Sequence, residues 1–166
     1  MKSYTFTQIA AREYPTVQIL DNPYIWGGVQ LCINVSEKPY SSDLWMAMRA
    51  HGISWLSCAV SEEPGAQWLN SLGTAFRAMI AGHLSGMKMV VHCDGGNNRS
   101  RSFVEALYFV LNGEHLADEY KGEYNHLIYN SKQGHLPPLQ ELEDYLRSWK
   151  EDVERLQEGN PAPATS

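Results

Sequence analysis

Met87-Lys88-Met89-Val90-Val91-His92-Cys93-Asp94-Gly95-Gly96-Asn97-Asn98-Arg99-Ser100 is the stretch that decides the fold. Met87 to His92 reads as a short strand buried on both faces. Ser100 to Leu111 reads as a helix, with Val104, Leu107, Tyr108 and Leu111 inward and Gly113 as its stop. A loop of this length between strand and helix curls so that successive backbone N–H groups point inward, and the helix N-terminus adds the positive end of its dipole. The product is an anion cradle that fits phosphate, running from Cys93 through Asp94, Gly95, Gly96, Asn97 and Asn98 to Arg99. Gly95 and Gly96 allow positive φ and close backbone approach. Asn97 and Asn98 tolerate left-handed geometry and shape the loop. Arg99 closes the ring with a bidentate fork on two phosphate oxygens. Cys93 lies at its floor, where the field that draws an anion also favours a thiolate nucleophile. His92 orients the cysteine backbone, and the Ser100 hydroxyl serves the sulfur when it departs from a phosphocysteine.

Outward from this unit, Val17 to Leu20, Tyr24 to Trp26 and Val29 to Val35 are expected as short strands. Ser41, Ser42 and Asp43 cap a helix over Leu44 to Ala50 that Gly52 stops. Ile53 to Val60 is β-like and closes at Ser61-Glu62-Glu63-Pro64. From Gly65 to Ser85, Trp68, Leu69, Leu72, Phe76, Met79, Ile80 and Leu84 recur at helical spacing. Two further helices are expected around Glu114 to Tyr129 and Pro138 to Gln157. Strands alternating with helices predict an α/β fold, a central, mostly parallel twisted sheet flanked by helices. Residues 1–157 form one domain in this reading, and 158–166 a flexible tail of linker composition.

The chain has 166 residues, 43% of them hydrophobic, which suits one domain with its own core. A net charge of -6 leaves no broad cationic face for nucleic acid. No apolar run approaches the roughly 20 residues of a membrane span, and Met1 to Ala10 lacks a signal pattern, so a soluble, cytoplasmic monomer is expected. Cys32, Cys58 and Cys93 are too few for a disulfide framework, and no Cys-x-x-Cys pair suggests zinc. No metal or organic cofactor is implied. Trp26, Trp45, Trp55 and Trp68 fall in predicted elements and are expected in the core. His83, His115, His126 and His135 share no metal-like spacing.

His-Cys, with Gly three, Arg six and Ser seven positions after the cysteine, resembles the signature of the cysteine-dependent protein tyrosine phosphatases, best its dual-specificity branch. Given a cysteine, chance would place all four on the order of once in 10⁵. Tyr24 to Gly28, Leu31 to Val35 and Ile53 to Val60 resemble further segments of that family, so the likeness covers about Leu20 to Trp149. It implies the tyrosine phosphatase-like fold and hydrolysis of phosphate monoesters through a phosphocysteine. It also implies a general acid about thirty residues before the nucleophile, where this chain has Glu62 and Glu63 instead of the family's Asp. Glu62 is favoured, Glu63 second. In the same likeness Cys58 has a partner in Cys93 for a protective disulfide, although core packing suits it better, and Gln133 lies near the pocket rim. Phosphatases of polyphosphates resemble one another in carrying lysines in this loop. Here Arg99 is the only cation and Asp94 opposes it, so the expected partner is a phosphorylated protein, phosphotyrosine foremost and phosphoserine or phosphothreonine next, or a small phosphate monoester. Two rivals stay open: a phosphate-binding module without turnover, and a rhodanese-like sulfurtransferase.

Overall fold

The computed structural model describes residues 9–95, 98–116 and 125–158. Four strands, β1 (Ile9–Arg12), β2 (Val29–Asn34), β3 (Ser54–Ser57) and β4 (Lys88–His92), pair in the order β1-β4-β2-β3. All three pairings are parallel, so each connection must cross over a sheet face. Helix α1 (Ser42–Ala50) joins β2 to β3, and α2 (Leu69–Leu84) joins β3 to β4. Helices α3 (Arg99–Asn112), α4 (His126–Lys132) and α5 (Leu139–Glu158) follow the last strand. This is the expected α/β sheet flanked by helices.

Alternation along the strands assigns the two faces. Ile33, Met89 and Val91 enter the larger core, with Leu72, Phe76 and Met79 of α2, Phe103 and Leu107 of α3, and Leu142 and Leu146 of α5. Cys32 and Val90 point the other way, against Leu44 and Met48 of α1 and against Leu20 and Trp26. Each such aliphatic or aromatic side chain contributes about 1.5–3 kcal/mol on burial. Local signals end the helices where expected. Ser41 Oγ accepts from Leu44 N at the start of α1, and Gly113, at φ +78°, closes α3 with its N–H on Phe109 O.

The N-terminal third departs from the sequence reading. Val17 to Leu20 is not a strand, because Gln18–Asp21 forms a single 3₁₀ turn. Tyr24 to Trp26 is also a turn: Asn22 Oδ1 accepts from Tyr24 N, Asn22 O accepts from Trp26 N, and a Cβ on Gly27 would lie 2.5 Å from Pro23 O. Their apolar residues are there to pack, and periodicity over three or four positions does not separate that from strand pairing. The strand that does occupy this edge, β1, is only four residues long and gave no signal. Glu114–Leu116 are not helical; α4 starts at His126, capped by Asn125 Oδ1 on Ile128 N, and 117–124 lie outside the described residues. Trp26 and Trp68 are core, but Trp45 and Trp55 are 40% and 39% exposed. Glu158, the first residue of the expected tail, is still helical, and 159–166 lie outside the described residues. Among the described residues no helix is long and apolar enough to cross a membrane.

Candidate active site

The carboxyl ends of parallel strands are where α/β sheets bind ligands. Here that edge is formed by β4 between β1 and β2, with His92 in register with Arg12 and Asn34. Val35 N donates to His92 O and Tyr14 N to Asp94 O, so the loop leaving β4 is pinned on both sides.

Cys93 is 2% exposed, and its Sγ lies 3.3 Å from Ser100 Oγ in the first turn of α3. Behind it, His92 is fully buried, stacked on Tyr40 and edge-on to Tyr14. His92 Nδ1 is 3.3 Å from Cys93 O, which can only accept, so Nδ1 carries the hydrogen. Nε2 then accepts from the Tyr40 hydroxyl at 2.6 Å, and the Tyr40 oxygen is free to accept from Cys32 Sγ at 3.3 Å. Burial keeps this chain neutral: it lowers the His92 pKa to about 4, raises the Tyr40 hydroxyl above the ordinary tyrosine range and pushes the Cys32 thiol up to about 12. A test follows from the sign. An unfolded chain protonates His92 below about 6.5, whereas the folded protein resists until about 4. Unfolding therefore takes up a proton between those values, and stability falls as pH drops through the window, by up to about 3 kcal/mol. Urea unfolding at about pH 7 and about pH 5 should show this loss in the wild type and a smaller one in His92→Gln.

Arg99 is 7% exposed, and all three of its guanidinium nitrogens face oxygens. Nη1 donates to Val60 O at 3.1 Å and Nη2 to Asp94 Oδ2 at 3.2 Å. Nε lies 3.3 Å from Glu62 Oε1 but its N–H is misdirected, so that contact is an ion pair without a hydrogen bond. Both carboxylates are about half exposed or more, at 49% and 63%, so each pair is worth under about 1 kcal/mol. Of the two candidate acids, Glu62 is thus brought to the cradle. Glu63 is exposed, with its backbone N on Ser61 Oγ and no side-chain partner among the described residues.

Gly95 is not in the left-handed region, and a Cβ there would meet nothing within 4 Å. The expectation of a positive φ at Gly95 is therefore corrected. Gly96 and Asn97 lie outside the described residues. Asn98 is the N-cap of α3, yet its side chain makes no cap bond. Its Nδ2 donates to Glu62 Oε1 at 3.3 Å, and its Oδ1 accepts from Asn130 Nδ2 at 2.8 Å. The forgone cap is worth about 1 kcal/mol.

Several participants had no usable signal in the sequence. Tyr14 and Tyr40 reach His92 from separate loops. Asn130 sits on α4, and an asparagine inside a helix is at most a weak hint of a polar contact. Trp68, fully buried, joins the Glu62 loop to the loop before α5: Nε1 donates to Ser61 O at 2.8 Å and the indole stacks on His135 at 4.4 Å. Gln133 is exposed beside Gly134, whose carbonyl accepts from Gln67 Nε2. Cys58 is buried in the same core as Cys93, and the three cysteines are not bridged to one another.

No protein-family model and no curated protein matches the chain. Solved structures do. The core catalytic domain of the PP-IP phosphatase SIW14 from S. cerevisiae superposes with a TM-score of 0.55 at 12% identity, over 92% of this chain and 88% of that one. PTPMT1 in complex with PI(5)P gives 0.57 at 15% identity, over 90% and 94%. Tk-PTP in its active form gives 0.55 at 21% identity, over 87% and 92%. The fold is that of the protein tyrosine phosphatases. Within the tyrosine phosphatase fold, the loop after β4 and the turn before Pro64 are the two segments brought face to face by Arg99.

Proposed function

We propose that the chain is a cysteine-dependent phosphatase that hydrolyses phosphate monoesters. The observation that carries this reading is the buried Arg99, which gathers the loop of Cys93 and the loop of Glu62 around one point above the carboxyl end of β4.

In the proposed reaction the Cys93 thiolate attacks phosphorus, forming the S–P bond as the ester P–O bond breaks. Glu62 gives its proton to the leaving oxygen. Water then attacks the phosphocysteine, Glu62 takes the water proton, and the sulfur leaves toward the Ser100 hydroxyl. Loop amides and Arg99 hold the equatorial oxygens, which spreads the charge of the transition state over fixed donors. His92 and Tyr40 contribute by position, fixing the carbonyl of Cys93. Thiol chemistry of this kind suits a reducing compartment such as the cytoplasm.

On substrate, the structurally similar proteins include a PP-IP phosphatase and PTPMT1 in complex with PI(5)P. In this chain the Asp94 carboxylate stands 3.2 Å from the guanidinium and would repel additional phosphates. A single monoester, phosphotyrosine or a phenolic phosphate, is favoured, with phosphoserine or phosphothreonine next. One observation favours a second reading, a phosphate-binding module with weak turnover: Nε and Nη2, the pair that forms a bidentate fork, already face Glu62 and Asp94, and an incoming phosphate competes with both.

The deciding experiment is hydrolysis of p-nitrophenyl phosphate, with vanadate inhibition and thiosulfate sulfurtransferase activity run in parallel. Vanadate-sensitive turnover supports the phosphatase. Vanadate binding without turnover favours the module, and sulfur transfer to cyanide would replace both. Within the phosphatase reading, Glu62→Gln should lower kcat for phenyl phosphate, whose leaving group needs a proton, about 10²-fold and flatten the alkaline limb of its pH profile, while Glu63→Gln leaves the limb in place. Equal profiles in the two variants would remove Glu62 from the role.

A further inference from the structure

We propose that Asn130 is a positioning residue for proton transfer: acting through Asn98, it clasps one oxygen of the Glu62 carboxyl and leaves the other open to the leaving group. The inference rests on the reading of Glu62 as the general acid.

Three irregularities share this explanation. Asparagine at a helix N-cap ordinarily turns its side-chain oxygen back onto the N–H groups of the first turn. Asn98 does not: its backbone is helical, at φ -93° and ψ -66°, rather than extended, and its Oδ1 accepts from Asn130 Nδ2 at 2.8 Å instead. With the oxygen held there, Nδ2 points outward to Glu62 Oε1. The second irregularity lies in Asn130 itself. It is fully buried, its Oδ1 has no hydrogen-bond partner, and its two Nδ2 hydrogens face three acceptors, Asn98 Oδ1, Ser102 Oγ and His126 O. A buried acceptor left unsatisfied calls for an explanation, and a leucine of similar size would carry none of that cost. Third, the helix bearing Asn130 has only seven residues, yet it is fastened to α3 from both sides. Leu127 N donates to the buried Glu105 Oε1, whose Oε2 takes Arg101 Nε, and Asn125 caps the first turn. Asn98 is fixed equally firmly from its own helix, because Ser102 Oγ donates to Asn98 O.

What this arrangement does to Glu62 follows from donor counting. An amide N–H satisfies a carboxylate oxygen or a carbonyl oxygen but not the O–H oxygen of a protonated acid. Asn98 Nδ2 on Oε1 therefore steers the proton to Oε2, which has no partner among the described residues. When phosphate oxygens take the Arg99 fork, the Nε contact to Oε1 is lost and Asn98 becomes the remaining hold on the acid.

The test uses the full chain and two esters, p-nitrophenyl phosphate, whose leaving group needs little protonation, and phenyl phosphate, whose leaving group needs much. Asn130→Leu should lower kcat for phenyl phosphate about 10- to 100-fold and for p-nitrophenyl phosphate by less than about threefold, and should shift the alkaline limb for the poorer ester. Adding Asn130→Leu to Glu62→Gln should cost nothing further, because both act on one step. The melting temperature should hold or rise. Equal slowing of both esters, a fall in melting temperature with both rates unchanged, or additive effects in the double variant would each overturn the proposal. If Asn130→Leu fails to fold, Asn130→Ala supplies the same ester ratio. Failure of the underlying reading looks different: there the wild type itself does not turn over p-nitrophenyl phosphate, or turnover survives loss of Cys93.

Discussion

Cys93→Ser should reduce p-nitrophenyl phosphate hydrolysis by about 10⁴-fold or more, because the hydroxyl that replaces the thiol is not ionised near neutral pH. The Ser100 hydroxyl lies 3.3 Å from the sulfur, and His92 points its Nδ1–H at the Cys93 carbonyl rather than at the side chain. The exchange removes almost no volume from a site that is 2% exposed, so the fold should survive with a melting temperature close to that of the wild type. The loop amides and Arg99 are untouched, so tungstate or vanadate should still bind, measured by calorimetry. Rapid-quench mass spectrometry should find a phosphoryl adduct on Cys93 of the wild type and none on the variant. Residual turnover within tenfold of wild type would end the covalent mechanism.

Trp68→Ala should be the most damaging change away from the sulfur. The indole is fully buried and ties three segments: Ser61 O through Nε1, the His135 ring by stacking at 4.4 Å and an interplanar angle of 7°, and α2, which begins at the next residue. The reciprocal bonds, Trp68 N to His135 O and His135 Nδ1 to Ala66 O, hold the two loops together from the backbone. Truncation leaves a cavity and an unpaired Ser61 carbonyl, a loss of about 3–5 kcal/mol. That is a large share of the 5–15 kcal/mol that domains typically possess, and it should lower the melting temperature by roughly 10 °C. Ser61 precedes Glu62, so kcat should fall further than stability alone explains when assayed well below the transition. Trp68→Phe, which keeps the ring and loses the N–H, should recover most of the stability. Equal melting temperatures for Trp68→Ala and the wild type would mean the two loops are held by their backbones alone.

Much of the candidate site was legible because its parts are consecutive. A buried apolar strand, a loop of fixed length and an amphipathic helix place Cys93, Arg99 and Ser100 by chain geometry alone, without any distant contact. The same holds for α1, whose cap is local, and for α5, whose side-chain spacing is. Reading failed where a short apolar run had to be assigned without periodicity, as at Val17 to Leu20 and Tyr24 to Trp26, or where a strand was too short to show alternation, as at β1. Gly95 is a different error: loop chemistry suggested a left-handed turn there, whereas Gly95 has no positive φ.

Sequence alone therefore determined the α/β alternation and the grouping of Cys93, Arg99 and Ser100 on one loop after a buried strand, because each depends on spacings of a few residues and on side-chain chemistry that any context preserves. Only the tertiary structure puts Glu62 rather than Glu63 against the loop of Cys93, since adjacent residues differ by direction and that direction is set by Arg99 and Asn98 across the gap between two loops. The neutral Cys32–Tyr40–His92 chain and the hold of Asn130 on Asn98 belong to the same class. They join positions eight to fifty-two residues apart in the chain, and their energetics come from burial and donor geometry that exist only once the elements have packed.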